Sequence, residues 1–187
     1  MYSTSDFRKG LKIELDGKPF IIVDFLHVKP GKGGAFTRTR LKNMETGQVL
    51  ERTFRSGEKV ERPDLLEREM QYLYQDMEGY CFMDTNNYEQ VFIDEEHLGD
   101  AKTYLIENID VKVLFFRDKP IGIELPTFVE LTITHTEPGF RGDTATGATK
   151  PATLETGLVV QVPLFLNEGD AVKVDTRTGE YIERVKG

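Results

Sequence analysis

The stretch Val28-Lys29-Pro30-Gly31-Lys32-Gly33-Gly34-Ala35-Phe36 governs the reading of this chain. Lys32 stands between Gly31 and Gly33, with Pro30 before and Gly34 after. Pro30 fixes its own φ, while the three glycines permit positive φ and bring no side chain that could cover the lysine. Strand-like runs flank the stretch, Phe20 to Phe25 before it and Ala35 to Met44 after it. The pattern predicts a hairpin whose tip holds one bare ammonium away from the body. A cation displayed in this way can touch a phosphate or serve as the target of a modifying enzyme. The plainer alternative is an exposed turn that happens to carry a lysine.

Charge separates these alternatives. The chain carries 24 Lys+Arg against 32 Asp+Glu, a formal net of −8. Residues 1–60 hold 12 basic and 7 acidic side chains, a net of +5; residues 61–126 hold 6 against 16, and residues 127–187 hold 6 against 9. A basic first third in an acidic chain points to one end that meets a polyanion. Within it, Arg38, Arg40 and Lys42 alternate with Thr37, Thr39 and Leu41, so on a strand the three cations share a face. Arg52 and Arg55 follow the turn at Glu45-Thr46-Gly47, and Lys29, Lys32 and Lys59 complete the set. Such a face attracts phosphates by counterion release, with no sequence preference. The competing reading is a solvated sheet face whose cations guard an edge strand.

Strand signals dominate the 187 residues. Leu11 to Leu15, Phe20 to Phe25, Ala35 to Met44 and Gln48 to Phe54 form short runs with turns at Asp16-Gly17 and Gly47, which predicts a small SH3-like barrel. Gly57 to Pro63 reads as a linker. Leu66 to Gln75, Tyr80 to Met83, Tyr88 to Ile93, Val111 to Phe116 and Ile121 to Leu125 follow. A helix candidate spans Asp94 to Asn108, and a hairpin turn falls at Asp118-Lys119-Pro120. In the last third, Phe128 to Thr134, Leu158 to Leu166, Ala171 to Val174 and Tyr181 to Val185 surround a polar loop from Glu137 to Thr149. The fold class is therefore all-β, with three small barrels in tandem: 1–62, then OB-like segments 63–126 and 127–187. Segments this small are marginal alone, so they are expected to pack on one another.

Several classes are disfavoured. No apolar run approaches the roughly 20 residues that span a bilayer, and the start Met-Tyr-Ser-Thr-Ser-Asp has no signal-peptide core, so a cytoplasmic protein without a membrane partner is expected. Cys81 is the single cysteine, which rules out an intrachain disulfide, and its apolar neighbours predict a small buried side chain. His27, His97 and His135 lie far apart and lack partners at metal-ligand spacing, so no metal and no cofactor are expected. Lys32 as a Schiff-base nucleophile would need a desolvated pocket that a Gly-flanked tip does not provide. A non-enzyme follows.

Two further loops are candidate RNA contacts. Gly142, Asp143, Thr144, Ala145, Thr146 and Gly147 offer backbone N–H groups and hydroxyls, though a plain connector has the same composition. Tyr181 and Arg184 are three apart and could stack on and pair with a nucleotide, or simply end a strand.

Taken together, the motifs resemble the bacterial elongation factor P family over the whole chain. Lys29-Pro30-Gly31-Lys32-Gly33 matches its modified-lysine loop. The run Lys150-Pro151-Ala152, Gly157, Val160, Val162-Pro163, Leu166 and Gly169 follows its C-terminal signature, and Gly142-Asp143-Thr144-Ala145 and Gly179-Glu180-Tyr181 also fit. The resemblance implies a KOW/SH3-like barrel followed by two OB domains, with a tRNA-like outline. It also implies a translation elongation factor that binds the ribosome between the peptidyl and exit sites and relieves stalling at consecutive prolines. By position, Lys32 would approach the acceptor end of the peptidyl-tRNA, the Gly142 to Gly147 loop would face the small subunit, and Tyr181 and Arg184 would meet the tRNA elbow. The implied partners are ribosomal RNA, a ribosomal stalk protein, the peptidyl-tRNA and a lysine-modifying enzyme. Family members carry a lysine-type group, an aminopentanol group or, where the tip is arginine, a sugar; Lys32 disfavours the last, and the residues leave the other two, or no modification, open. Two rivals remain: a general single-strand binder, which would show exposed aromatics interleaved with cations on one sheet face and is disfavoured because Tyr72, Tyr74, Phe82 and Phe92 lie in the acidic middle third, and a paralogue that acts on other stalling sequences.

Overall fold

Alternation of apolar and polar side chains writes itself directly into antiparallel sheet. The computed structural model describes residues 1–139 and 147–186. In the first barrel, β1 (Tyr2–Ser3), β2 (Lys12–Leu15), β3 (Lys18–Val28), β4 (Phe36–Asn43), β5 (Val49–Arg55) and β6 (Lys59–Val60) follow in order. β2 to β5 form a four-stranded meander, and a short β1–β6 ribbon ties the chain's start to its end. Asp16 and Gly17 both take positive φ, 52° and 74°, in the two-residue turn that matches strand twist. Ile13, Ile22, Leu41 and Phe54 are fully buried, and Phe7 meets Phe54 edge-on at 5.3 Å.

The expected linker from Gly57 to Pro63 is shorter than the sequence suggests. Lys59 and Val60 pair with Ser3 and Tyr2, and Val60 enters the core. A two-residue strand is too short for alternation to register, and its partner lies some 57 residues away in sequence.

The second barrel comprises β7 (Leu65–Asp76), β8 (Gly79–Asp84), β9 (Gln90–Ile93), β10 (Asp110–Phe116) and β11 (Lys119–Glu124), in sheet order β11-β10-β7-β8-β9. The helix expected over 94–108 is instead α1 (Glu95–Leu98) followed by a 3₁₀ segment, Gly99–Tyr104. Asp94 caps α1 by accepting from the His97 backbone N–H at 2.8 Å, but Gly99, at φ 55°, ends the α-helix after one turn. Leu98, Tyr104 and Leu105 are all buried, so packing rather than propensity sets this segment's path. The β10–β11 turn is also shifted: Arg117 and Asp118 hold the positive φ values, 49° and 64°, while Lys119 and Pro120 already belong to β11.

The third barrel comprises β12 (Phe128–Thr136), β13 (Thr149–Leu154), β14 (Val159–Pro163), β15 (Ala171–Asp175) and β16 (Glu180–Arg184), in order β14-β13-β12-β15-β16. β13 was not anticipated, because its inward positions are Lys150, Ala152 and Leu154, and the lysine breaks the apolar pattern. Lys150 is buried and donates from Nζ to the Glu137 carbonyl at 2.6 Å. The second and third barrels share apolar contacts: Ile109 and Leu125 pack on both cores, and Tyr104 belongs to the third barrel's core. The expected packing of barrel on barrel is met there.

Gly79 gives the fold a sharp test. Its φ is +127°, and a Cβ would lie 2.6 Å from the Ile93 carbonyl oxygen. Gly79→Ala is expected to destabilise the protein by about 2 kcal/mol or more, combining strain with a backbone clash. Gly34→Ala, with nothing within 4 Å of its Cβ, is expected to stay within about 0.5 kcal/mol. Urea unfolding of the two variants checks the contrast.

Candidate functional site

The tip loop springs from the last rung of the β3–β4 ladder, where Val28 faces Phe36. Just below, His27 Nδ1 and Thr37 Oγ1 are 2.8 Å apart, and His27 stands edge-on to Phe25 at 5.3 Å. On the other side, the Ser56 backbone N–H donates to the Ala35 carbonyl at 3.0 Å. From this braced base Lys29, Pro30, Gly31, Lys32, Gly33 and Gly34 are all exposed. Only one of the three glycines uses its conformational freedom: Gly33 sits at φ +111°, whereas Gly31 and Gly34 lie outside the left-handed region. Among the described residues, Lys32 makes no hydrogen bond and no ion pair. A solvated, uncompensated ammonium on such a tip is free for an outside anion or for a modifying group.

Arg38, Arg40 and Lys42 are exposed and share one face of β4, while Thr37, Thr39 and Leu41 between them are buried. The row is not purely basic: Arg40 lies between Asp24 of β3 and Glu51 of β5. Arg55 faces Phe36 across the ladder, so it extends the same face toward the tip. Arg52 does not join them. It faces Thr39, on the other side of the sheet, where its guanidinium lies 5.1 Å over the Phe54 ring and 3.9 Å from Asp16.

In the third barrel, Gly142, Asp143, Thr144, Ala145 and Thr146 lie outside the described residues; Gly147 follows them with φ +85°. Tyr181 and Arg184 face Val174 and Val172, and a β-bulge between those two rungs puts the pair on one side of the sheet. Tyr181 is half-buried against the core, and Arg184 is 3.1 Å from Asp170. The Tyr181 hairpin is fixed at its base by Arg177, whose guanidinium and backbone N–H hold the Asp175 carboxyl below its ordinary range.

Other sequence candidates find local partners. Tyr72 and Phe82 are core residues of the second barrel, and Tyr74 and Phe92 pair edge-on at 6.4 Å. A stacking platform therefore cannot use Tyr72 or Phe82. Cys81 is fully buried, as expected, and burial raises its thiol pKa. His97 Nδ1 is 2.5 Å from Asp94, whose carboxyl is held below its usual range first by the His97 backbone N–H. His135 lies 3.5 Å from Glu137 and 3.3 Å from Glu168. Among the described residues no group of three or more His, Cys, Asp or Glu could hold a metal ion. No helix among the described residues is long and apolar enough to cross a membrane. Sequence reasoning missed His27 and Thr37 as the brace beneath the tip, because cross-strand register, which their spacing alone does not fix, brings them together.

Comparison with known proteins agrees with this architecture part by part. Three family models match in succession: "Elongation factor P (EF-P) KOW-like domain" over residues 3–60, "Elongation factor P (EF-P) OB domain" over 65–123 and "Elongation factor P, C-terminal" over 129–184. Proteins named Elongation factor P are similar throughout. That of Bdellovibrio bacteriovorus is 60% identical over 185 residues, 99% of this chain and 98% of that protein. That of Syntrophomonas wolfei is 58% identical over 99% of this chain and all of that protein. Among solved structures, a eukaryotic translation initiation factor 5A from Methanococcus jannaschii shares the fold at a TM-score of 0.55 and 24% identity, covering 64% of this chain and 88% of its own. The three matched domains, in this order, define a translation factor. The chain belongs to the elongation factor P family.

The one-sided row makes a distinction that the count of cations does not. Replacing Arg38, Arg40 and Lys42 together with Ser is expected to weaken RNA binding and to flatten the slope of log affinity against log salt by about 2. Arg52→Ser is expected to change that slope much less, since its charge lies on the other face beside Asp16. A salt titration of ribosome binding reads both.

Proposed function

We propose that this factor binds the ribosome beside the peptidyl-tRNA and relieves stalling at consecutive prolines by positioning the tRNA acceptor end through Lys32. The observation that supports this most directly is the exposed, unpaired Lys32 on a tip whose base is braced on both sides. The chemistry required is orientation. Proline is a constrained partner for peptide-bond formation, and holding two reactants in reactive geometry replaces entropy that would otherwise be lost on the way to the transition state. Lys32 needs no acid–base partner for such a role, so the protein acts as a non-catalytic factor.

In this reading the domains divide as 1–62, 63–126 and 127–187. The face of Arg38, Arg40, Lys42 and Arg55 contacts RNA phosphates, with Arg52 contributing from the far side. The loop from Gly142 to Gly147 meets the small subunit, and Tyr181 and Arg184 meet the tRNA elbow. To do so Arg184 must share its charge with Asp170. Ribosomal RNA, the stalk protein and the peptidyl-tRNA are the partners, and Lys32 acts either unmodified or after an enzyme has added a lysine-type or aminopentanol group. The site of action is the cytoplasm.

Lys32→Ala is expected to leave the melting temperature unchanged, since an exposed side chain without contacts contributes within about 0.5 kcal/mol, and to abolish relief at a Pro-Pro-Pro reporter. Lys32→Arg keeps the charge but changes the head group and cannot accept a lysine-specific modification. It is expected to fail nearly as badly as Ala. Full relief by the Arg variant would show that charge alone suffices.

A further inference from the structure

We infer that Arg117 is a positioning residue: through Glu14 it fixes the angle between the first and second barrels, and so sets where the Lys32 tip lies. Its functional consequence rests on the role proposed above for Lys32.

The two inter-barrel junctions are built differently. The second and third barrels share Ile109 and Leu125. The first barrel's core has no residue in common with either of the others. A directional polar tie joins it to the second barrel, beside a pocket that Ile21 and Met44 line together with Leu114, Ile121 and Ile123. Arg117 Nη2 donates to Glu14 Oε1 at 2.7 Å, and the backbone N–H of the same arginine donates to the Asp64 carbonyl in the linker at 3.2 Å. Glu14 is joined to the other end of that linker, its N–H donating to the Glu61 carbonyl at 2.9 Å. One residue of the second barrel therefore grips both the linker and the barrel beyond it.

The local cost shows that the side chain matters. Arg117 opens a turn with φ 49°, where Gly or Asn is favoured and a long side chain carries strain. The guanidinium is steadied 5.1 Å over the Phe116 ring, and the Glu14 side chain is only 16% exposed. A mostly buried carboxylate needs a counter-charge, and the bond is charge-assisted. Among the described residues a second pair between these barrels, Lys12 with Glu67, is longer at 3.9 Å and more exposed, which makes it weak.

Leverage makes the clamp consequential. Glu14 faces Pro19 at the root of β3, and the tip leaves β3 after Val28. At about 3.3 Å per residue those nine steps span roughly 30 Å, so a tilt of about 10° at the root moves the tip by roughly 5 Å. Positioning catalysis is sensitive to displacements of about 1 Å.

The test reads geometry and function separately. Spin labels at Ser56→Cys and Met77→Cys, in a Cys81→Ser background, report the distance between the first two barrels. Arg117→Asn keeps a residue that tolerates positive φ while removing the guanidinium, and Glu14→Gln removes the charge from the other side. Each is expected to broaden the distance distribution, and the exchanged pair Glu14→Arg with Arg117→Glu is expected to narrow it again. In a Pro-Pro-Pro reporter, the factor concentration for half-maximal relief is expected to rise about fivefold in Arg117→Asn, as the competent fraction falls, and to recover in the exchanged pair. An unchanged distribution in Arg117→Asn overturns the clamp. A broadened distribution with unaltered relief overturns its service to the tip. Because the distances are measured without ribosomes, active Lys32→Ala protein would defeat the Lys32 role alone and leave the clamp to be judged on its own.

Discussion

The register of β3 against β4 is the constraint on which the rest depends. One face of this hairpin is sealed by Ile22, Thr37, Thr39 and Leu41 against Phe54 and Ile13. Side chains alternate with a period of two, so a slip of one residue would turn Arg38, Arg40 and Lys42 into the core and Thr37, Thr39 and Leu41 out to water. Burying three cations without partners is prohibitive. The apolar face therefore fixes the outward row, the last rung at Val28 and Phe36, and the point from which the tip loop departs. A surface feature is held in place by a core it never touches.

The junctions extend that logic from one barrel to three. Apolar surface shared around Ile109 and Leu125 welds the second and third barrels into a continuous packing unit. The first barrel meets the second through ion pairs and linker hydrogen bonds, beside a pocket lined by Ile21 and Met44 with Leu114, Ile121 and Ile123. Hydrophobic contact is non-directional, whereas a bidentate-capable guanidinium on a carboxylate has a preferred geometry. A directional contact suits the junction at which an angle, rather than mere adhesion, matters.

How much was legible in the sequence follows from how local each signal is. Asp16-Gly17, the alternation of β4 and the exposure of Lys29 to Gly34 are set within a few residues, and the structure shows them as read. Features that depend on distant partners escaped. β6 is defined by Tyr2 and Ser3, β13 by Val160 and Val162, and the course of 99–105 by the cores that receive Tyr104 and Leu105. Arg52 shows the same limit within the site. Grouped with the other cations by sequence, it occupies the opposite face, because strand pairing places it across from Thr39. The β10–β11 turn was displaced by one residue, to Asp118-Lys119-Pro120, because Pro120 is a strong turn signal and Arg117 an unusual residue for positive φ.

Electrostatics also look different once partners are counted. In the third barrel Arg177, Arg184 and Lys173 are matched by Asp175, Asp170 and Glu183 at 2.9, 3.1 and 3.1 Å. The second segment, 6 basic against 16 acidic, repels polyanions outright. In the first barrel, Arg38 and Lys42 instead face the uncharged residues Leu26 and Thr53, and Ile21 and Val49, across the sheet. Arg38 and Lys32 thereby place positive charge toward the tip, while Lys42, at the far end of β4, borders a pocket that also holds Glu45, Glu96 and Asp100. A polyanion approaching from a distance feels this asymmetry before any contact forms, so the same charges that would bind it also orient the molecule with its tip leading.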